Sequence, residues 1–166
     1  MSIAGRIRAL LGGSQPLIRR DPVTYRAVGV VRNRVREPRV SGWKDVRSDI
    51  ILRDDLASAL DLLDGFSHVI VVFHFDRVLE DAEVAPRVRV GGEEGPEVGV
   101  FASRQARRPN PIGVSVAEVV HRRQNVLRVR GLDALNGTPV LDLKPYLPPY
   151  DAVAGARLPP WALGEP

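Results

Sequence analysis

The sequence predicts a mainly β protein with minor α structure: a single-domain antiparallel β-barrel carrying one or two short helices. Three observations lead there. Six or more strand-like runs stand against two helix-like ones, the late strands are joined by short turns, and no helices fall between successive strands as a doubly wound α/β sheet requires. The 166 residues suit one domain with one core.

Taken in order, "SIAGRIRALL" puts Ile3, Ile7, Leu10 and Leu11 at helical spacing behind Ser2, with Gly12 and Gly13 as a stop. The linker "SQPLIRRDP" follows, so residues 1–22 read as a helical extension and linker, 23–151 as the barrel domain and 152–166 as a proline-rich tail without regular structure. "YRAVGVVRN" is the first expected strand. Residues 32–49 carry Arg32, Arg34, Arg36, Arg39 and Arg47 with Pro38 and Gly42, the composition of a long basic loop. "DDLASALDLLDG" has Asp54 or Asp55 as a cap, Leu56, Leu60 and Leu63 on one face and Gly65 at its end, predicting a helix of about three turns. "HVIVVFHFDRV" is apolar on both faces and predicts a central strand buried on both sides. "RVRV" and "VGVFAS" flank the turn "GGEEGPE", "IGVSVAEVV" and "NVLRVRG" form a hairpin across "HRRQ", and "PVLDLKPY" is the last strand.

Composition narrows function. Hydrophobic residues at 44% and charged residues at 27% are those of a folded globular chain. The longest apolar run is far short of a membrane span, and the start does not resemble a signal peptide, so a cytoplasmic protein is expected. There is no cysteine, and His68, His74 and His121 are the three histidines, so no metal site is expected. Lys44 and Lys144 are the lysines among 24 basic residues; this arginine-dominated set and a net charge of +4 suit an anionic partner. The glycines of "GGEEGPEVG" do not form G-x-G-x-x-G and carry three glutamates, and no serine sits in G-x-S-x-G, which argues against a phosphate loop and a serine hydrolase.

Two stretches carry candidate chemistry. "FASRQARRPNPIG" packs Arg104, Arg107, Arg108 and Asn110 beside two prolines, whose stiffness lowers the entropic cost of holding polar groups in place. In "LDALNGTPVLDLKPYLPPYD", Asn136-Gly137 is a turn signal, and Asp142, Lys144 and Tyr146 alternate with apolar residues so as to share one side.

Those stretches, with "SHVIVVFHF", resemble the TrmO/TsaA-like family in its motifs "SHLW…F", "GVFATR…RPNPIG" and "DGTPVLDIKPY", in one order over roughly residues 25–151. The resemblance implies a β-barrel methyltransferase dependent on S-adenosyl-L-methionine, a homodimer acting on tRNA at N6 of N6-threonylcarbamoyladenosine beside the anticodon. It implies cofactor contacts at Pro38, Arg39, Val40, Asp76, Arg77, Arg104, Val114, Ala134, Leu135, Asn136 and Gly137. Val40 and Asn136 depart from the family's usual glutamine and aspartate. Asp142 is a candidate proton acceptor, Lys144 and Tyr146 candidates for orienting the carbamoyl group, and Arg107, Arg108 and Asn110 candidates for substrate or RNA contact. The alternatives are a noncatalytic RNA-binding barrel, or a methyltransferase acting on another RNA base or a small molecule.

Overall fold

The computed structural model describes residues 22–39, 41–78 and 84–162. The expected helix at residues 2–11 lies outside them. Eight strands follow one another: β1 (Gly29–Arg32), β2 (Arg47–Leu52), β3 (His68–His74), β4 (Arg87–Arg89), β5 (Glu97–Gly99), β6 (Ile112–Arg123), β7 (Val126–Arg130) and β8 (Pro139–Pro145). Six of them close into a barrel in the order β1-β2-β7-β6-β3-β8, and every neighbouring pair is antiparallel. Strands β4 and β5 form a separate two-stranded ribbon.

Period-two alternation fills the barrel. Ile50 and Leu52 of β2, Val69, Val71 and Phe73 of β3, Ala117 of β6, Leu127 and Val129 of β7 and Val140 of β8 are all buried in one cluster with Val31, Leu60, Leu132 and Ala134. A barrel strand has one interior face, and this corrects the reading of "HVIVVFHF" as buried on both sides: alternate residues of β3 are buried, and Ile70 and Val72 on its outer face are partly covered.

Four further expectations change. Strand β2 falls partly within the segment read as a basic loop; its Arg47 and Asp49 point outward, while Ser48, Ile50 and Leu52 alternate inward. The helix expected over 54–65 is two 3-10 turns, Asp54–Leu60 and Leu63–Gly65, interrupted at Leu62, whose φ of 67° leaves the helical region. Only Leu60 of the first turn is buried, which plugs one barrel end without a long amphipathic face to favour an α-helix. The β6–β7 turn is tighter than expected: β6 runs to Arg123, and Gln124 takes a φ of 54° to make the reversal. After β8, Pro148–Asp151 forms one α-helical turn, α1, started by prolines and held by the Leu147 N–H donating to Asp151 Oδ2 at 2.6 Å. A 3-10 turn follows at Pro160–Ala162.

On the outer wall, Asp49 of β2 sits opposite Arg128 of β7, and the guanidinium donates to both carboxylate oxygens at 2.6 and 2.8 Å. These hydrogen bonds hold the Asp49 carboxyl below its ordinary value near 3.8, against the opposing effect of its partial burial. A carboxylate with a lowered folded-state value contributes stability above its unfolded value and loses it as pH falls through the folded value. Thermal melts should therefore show Asp49→Asn melting below the wild type at pH 7, with the gap closing on acidification below about pH 4. A gap independent of pH would assign the loss to something other than this ion pair.

Candidate active site

The proline-stiffened segment ends in a glycine, and the barrel explains why. Gly113 of β6 is buried and paired with Phe73 of β3, and the Phe73 ring lies across it. A Cβ on Gly113 would sit 2.3 Å from Phe73 Cε2 and 2.4 Å from Cζ. The ring can occupy this place because residue 113 has no side chain. Phe73 in turn packs edge-to-face on Phe75, with ring centroids 5.2 Å apart. The knot is anchored on the same strand end: the Phe75 N–H donates to Pro111 O at 2.8 Å.

Phe73 and Phe75 form the floor of a pocket of about 220 Å³ at the C-terminal end of β3. Trp43, Pro38, Val78, Ala106, Ala134 and Leu135 add apolar wall, while Arg39, Asp76, Arg77, Asp133 and Thr138 supply the polar groups. A small annex of about 60 Å³ shares Phe73, Phe75 and Asp133 and adds Arg104, Arg108 and Val114. Apolar walls with a few convergent polar groups are the usual make-up of a small-molecule site.

Its rim is knit by hydrogen bonds from one asparagine. Asn33 Nδ2 donates to Ser48 Oγ at 3.0 Å and to Ala134 O at 2.9 Å, while its Oδ1 accepts from Val35 N–H at 2.9 Å. Its backbone N–H donates to Asn136 Oδ1 at 3.1 Å. The turn at Gly137, with φ of 93°, brings the Gly137 N–H onto Val31 O at 2.8 Å. Arg77 spans the same gap, donating to Arg36 O and to Asn136 O, the latter at 3.3 Å. Arg39 lies over the Trp43 ring, 4.8 Å from its centroid, and donates to Gly42 O.

Of the residues singled out in the sequence, Pro38, Arg39, Asp76, Arg77, Ala134 and Leu135 line this pocket. Arg104 and Val114 meet in its annex, where Arg104 Nη2 donates to Val114 O at 2.7 Å. Asn136 and Gly137 support the rim from behind: the Asn136 side chain is spent on Asn33. Val40 lies outside the described residues. Arg108 reaches Ser103 O at 3.4 Å and also lines the annex, and Arg107 is exposed on the same loop. Asn110 instead lines a separate outer cleft with Tyr25 and His74.

Asp142, Lys144 and Tyr146 are not brought to this pocket. A bulge in the β3–β8 pairing puts Val140 opposite Phe73 and Asp142 opposite Val72, so Leu141 is skipped and the expected alternation is broken. Lys144 pairs with Asp142 at 2.6 Å on the outer wall, opposite Ile70 and Val72. The Tyr146 ring packs on His68, at the far end of β3.

Among the residues of the pocket and its rim that went unmarked in the sequence, three stand out. Asp133 is one: it lies at the mouth shared by pocket and annex, and its surroundings raise its carboxyl above the ordinary value by desolvation, opposed by Arg104 and Arg39. Trp43 and Asn33 are the others. Asp133 lies within the quoted stretch "LDALNGTPVLDLKPYLPPYD" and Trp43 is the lone aromatic of the basic segment, but neither stands in a spacing that reports its neighbours.

Gly113→Ala should destabilise the fold by about 1–3 kcal/mol, as overpacking does. It should also weaken binding in the pocket, because the Phe73 ring must move. Chemical denaturation and ligand titration would check both; an unchanged stability would mean that Phe73 has another place to go.

Residues 30–152 match the tRNA-methyltransferase O N-terminal domain family. A probable S-adenosyl-L-methionine-binding protein of Pyrococcus abyssi is 37% identical over 142 residues, covering 82% of this chain and 74% of that one. The tRNA (adenine(37)-N6)-methyltransferase of Escherichia coli is 37% identical over 138 residues, covering 75% of this chain and 57% of that one. The crystal structure of TrmO from Pseudomonas aeruginosa superposes with a TM-score of 0.67 at 35% identity, over 82% of this chain and 61% of that chain. The chain thus spans less than two thirds of the Escherichia coli and Pseudomonas relatives.

Proposed function

The chain belongs to the tRNA-methyltransferase O family, and from that premise we propose that it transfers a methyl group from S-adenosyl-L-methionine to N6 of N6-threonylcarbamoyladenosine next to the tRNA anticodon. The observation that carries this reading is the convergence of Arg39, Asp76, Arg77 and Asp133 on a pocket walled by Trp43, Phe73 and Phe75.

The residues fit the chemistry of that cofactor. Aromatic faces suit an adenine ring and a sulfonium cation. The carboxylate of Asp76 suits ribose hydroxyls or an ammonium group, and Arg39 suits a terminal carboxylate. Arg104, Val114 and the 134–137 turn complete the wall, as the family resemblance implies. When bound, the cofactor supplies an electrophilic methyl group. The rest is positioning and one proton: as a C–N bond forms at N6 and the S–CH₃ bond breaks, the N6 proton must leave. Asp133 is the carboxylate of the pocket mouth and is assigned as its acceptor. Desolvation raises its affinity for a proton, which favours this role, and Arg104 and Arg39 oppose the rise. Asp142, Lys144 and Tyr146, held on the outer wall, are assigned no part in that transfer. Arg107 and Arg108, on the loop beside the annex, and Asn110 are assigned to contacts with the RNA around the reacting nucleoside.

The working unit is assigned as a homodimer of the 23–151 barrel. Its support is an outer face on which Ile112, Val114 and Val116 of β6 are exposed beside Ile70 and Val72 of β3, an apolar patch of the kind that pairs proteins. No helix among the described residues is long and apolar enough to cross a membrane. The reaction is placed in the cytoplasm, with tRNA as partner and no metal in the chemistry.

Titration calorimetry with S-adenosyl-L-methionine tests the reading first: binding is expected, and Trp43→Ala should weaken it by roughly tenfold or more. A folded protein that binds RNA but no cofactor would instead be the noncatalytic RNA-binding barrel. Asp133→Asn should lower kcat by about 10²–10⁴-fold with little change in cofactor affinity. In the wild type, activity should rise with pH through a value raised above that of an ordinary aspartate, and that limb should vanish in Asp133→Asn. A retained kcat would remove Asp133 from the chemistry.

A further inference from the structure

Beyond the pocket lies a larger cleft of about 760 Å³ on the outer wall formed by β1, β2 and the loop between them. Arg32, Arg34, Arg39 and Arg47 line it, against Asp45. Its other carboxylate, Asp49, is already spent on Arg128 through two hydrogen bonds. Arg32, Arg34 and Arg47 are exposed, and none of their side chains has a hydrogen bond or ion pair with the described residues. Apart from Arg32, whose charge helps to hold the Asp49 carboxyl down, this cluster sets its positive charge toward solvent.

Barrel register makes the cluster directional. Arg32 of β1 stands opposite Asp49 of β2, which stands opposite Arg128 of β7, which stands opposite His121 of β6. Four strands spaced about 4.8 Å apart make this row roughly 14 Å long. No aromatic ring lines the cleft, and Val35 and Val46 are its apolar residues, so it offers charge without a stacking platform. At its inner end is Arg39, which also lines the smaller pocket and lies over Trp43. The two spaces therefore meet at one side chain.

We infer that this cleft is a track for the phosphodiester backbone of single-stranded RNA, with Arg32, Arg34 and Arg47 as phosphate contacts and the Arg39–Trp43 ridge as the point where the reacting base leaves the strand for the pocket. The inference rests on the tRNA-methyltransferase reading and extends it to a surface. Arginines on a solvated wall position a backbone without reading its sequence, and the 2:1 or greater excess of cation over carboxylate here suits a polyanion better than a single small anion.

The test uses the full chain and a fluorescently labelled RNA anticodon stem-loop, with anisotropy titrations at several salt concentrations. The variants are the triple Arg32→Gln/Arg34→Gln/Arg47→Gln and the matching triple lysine variant. Removing three phosphate contacts should weaken binding by about tenfold or more at low salt and reduce the slope of log K against log salt by roughly two to three. The lysine variant should keep most of the slope. Cofactor binding by calorimetry should be unchanged in both. A glutamine variant with wild-type affinity and slope overturns the track, and so does a loss that inorganic phosphate at millimolar concentration reproduces by competition, which would make the cleft a small-anion site. Methyl transfer by the wild type to intact tRNA, measured alongside, keeps the readings apart: transfer with no effect of the triple variant sinks the track alone, whereas no transfer and no cofactor binding sinks the enzyme reading beneath it.

Discussion

Closure of the barrel at the β1–β8 seam is the constraint on which the site depends. The seam is short: two register pairs, Gly29 with Val140 and Val30 with Pro139, join the strands. What extends it is not more strand but the turn after Leu132, folded back so that Val31 N–H reaches Thr138 O at 2.9 Å and Gly137 N–H reaches Val31 O. Asn33 then ties the end of β1 to two segments, to β2 through Ser48 and to the following turn through Ala134 and Asn136. Net hydrogen bonds are worth about 1 kcal/mol each, but leaving partly buried partners unsatisfied costs more, so a small set of bonds can hold two loops in one geometry. The pocket exists because those loops are held.

The same economy explains the roles of arginine. Arg77 and Arg104 donate to backbone carbonyls and so fix loops, Arg128 and Arg130 pair with carboxylates across strands, and Arg39 lies on an aromatic ring. A planar, permanently charged group with several donors does each of these with a fixed fork that a lysine lacks. Net charge counted all of them alike. The register separates those spent inside the fold from those facing solvent at the β1–β2 loop.

Much of this was legible in the sequence, and the rest was hidden for physical reasons. Barrel class, the β6–β7 hairpin and most strands followed from period-two patterns and turn residues, because alternation reports one buried face directly. Strand β2 was obscured since its outward residues, Arg47 and Asp49, are charged and its inward Ser48 is polar, leaving a short apolar run as the signal. The 3-10 turns at 54–65 were read as a helix because leucine spacing does not distinguish a sealed barrel end from a packed amphipathic face. For the site, motif residues found six pocket walls, but Asp133 and Asn33 gain their roles from partners about a hundred residues away in Asn33's case, which spacing cannot express. Asp142 and Lys144 failed to reach the pocket through a single bulge, and a one-residue slip sends a side chain to the other face of a sheet.

The proline knot can now be tied to the chemistry through packing alone. Pro111 fixes its own φ and gives its carbonyl to Phe75, and Asn110 O accepts from Ile112 N–H at 2.7 Å, so the chain enters β6 at a set angle. Two residues into that entry stands Gly113, whose missing side chain lets Phe73 lie flat across the strand. Phe73 is both barrel core, at 2% exposure, and pocket wall. A wall made from the core cannot move without disturbing the core, and a densely packed interior resists such movement. The prolines are therefore useful at a distance: they act on the pocket by fixing the backbone under an aromatic ring, while Arg107 is exposed and Arg108 lines the annex.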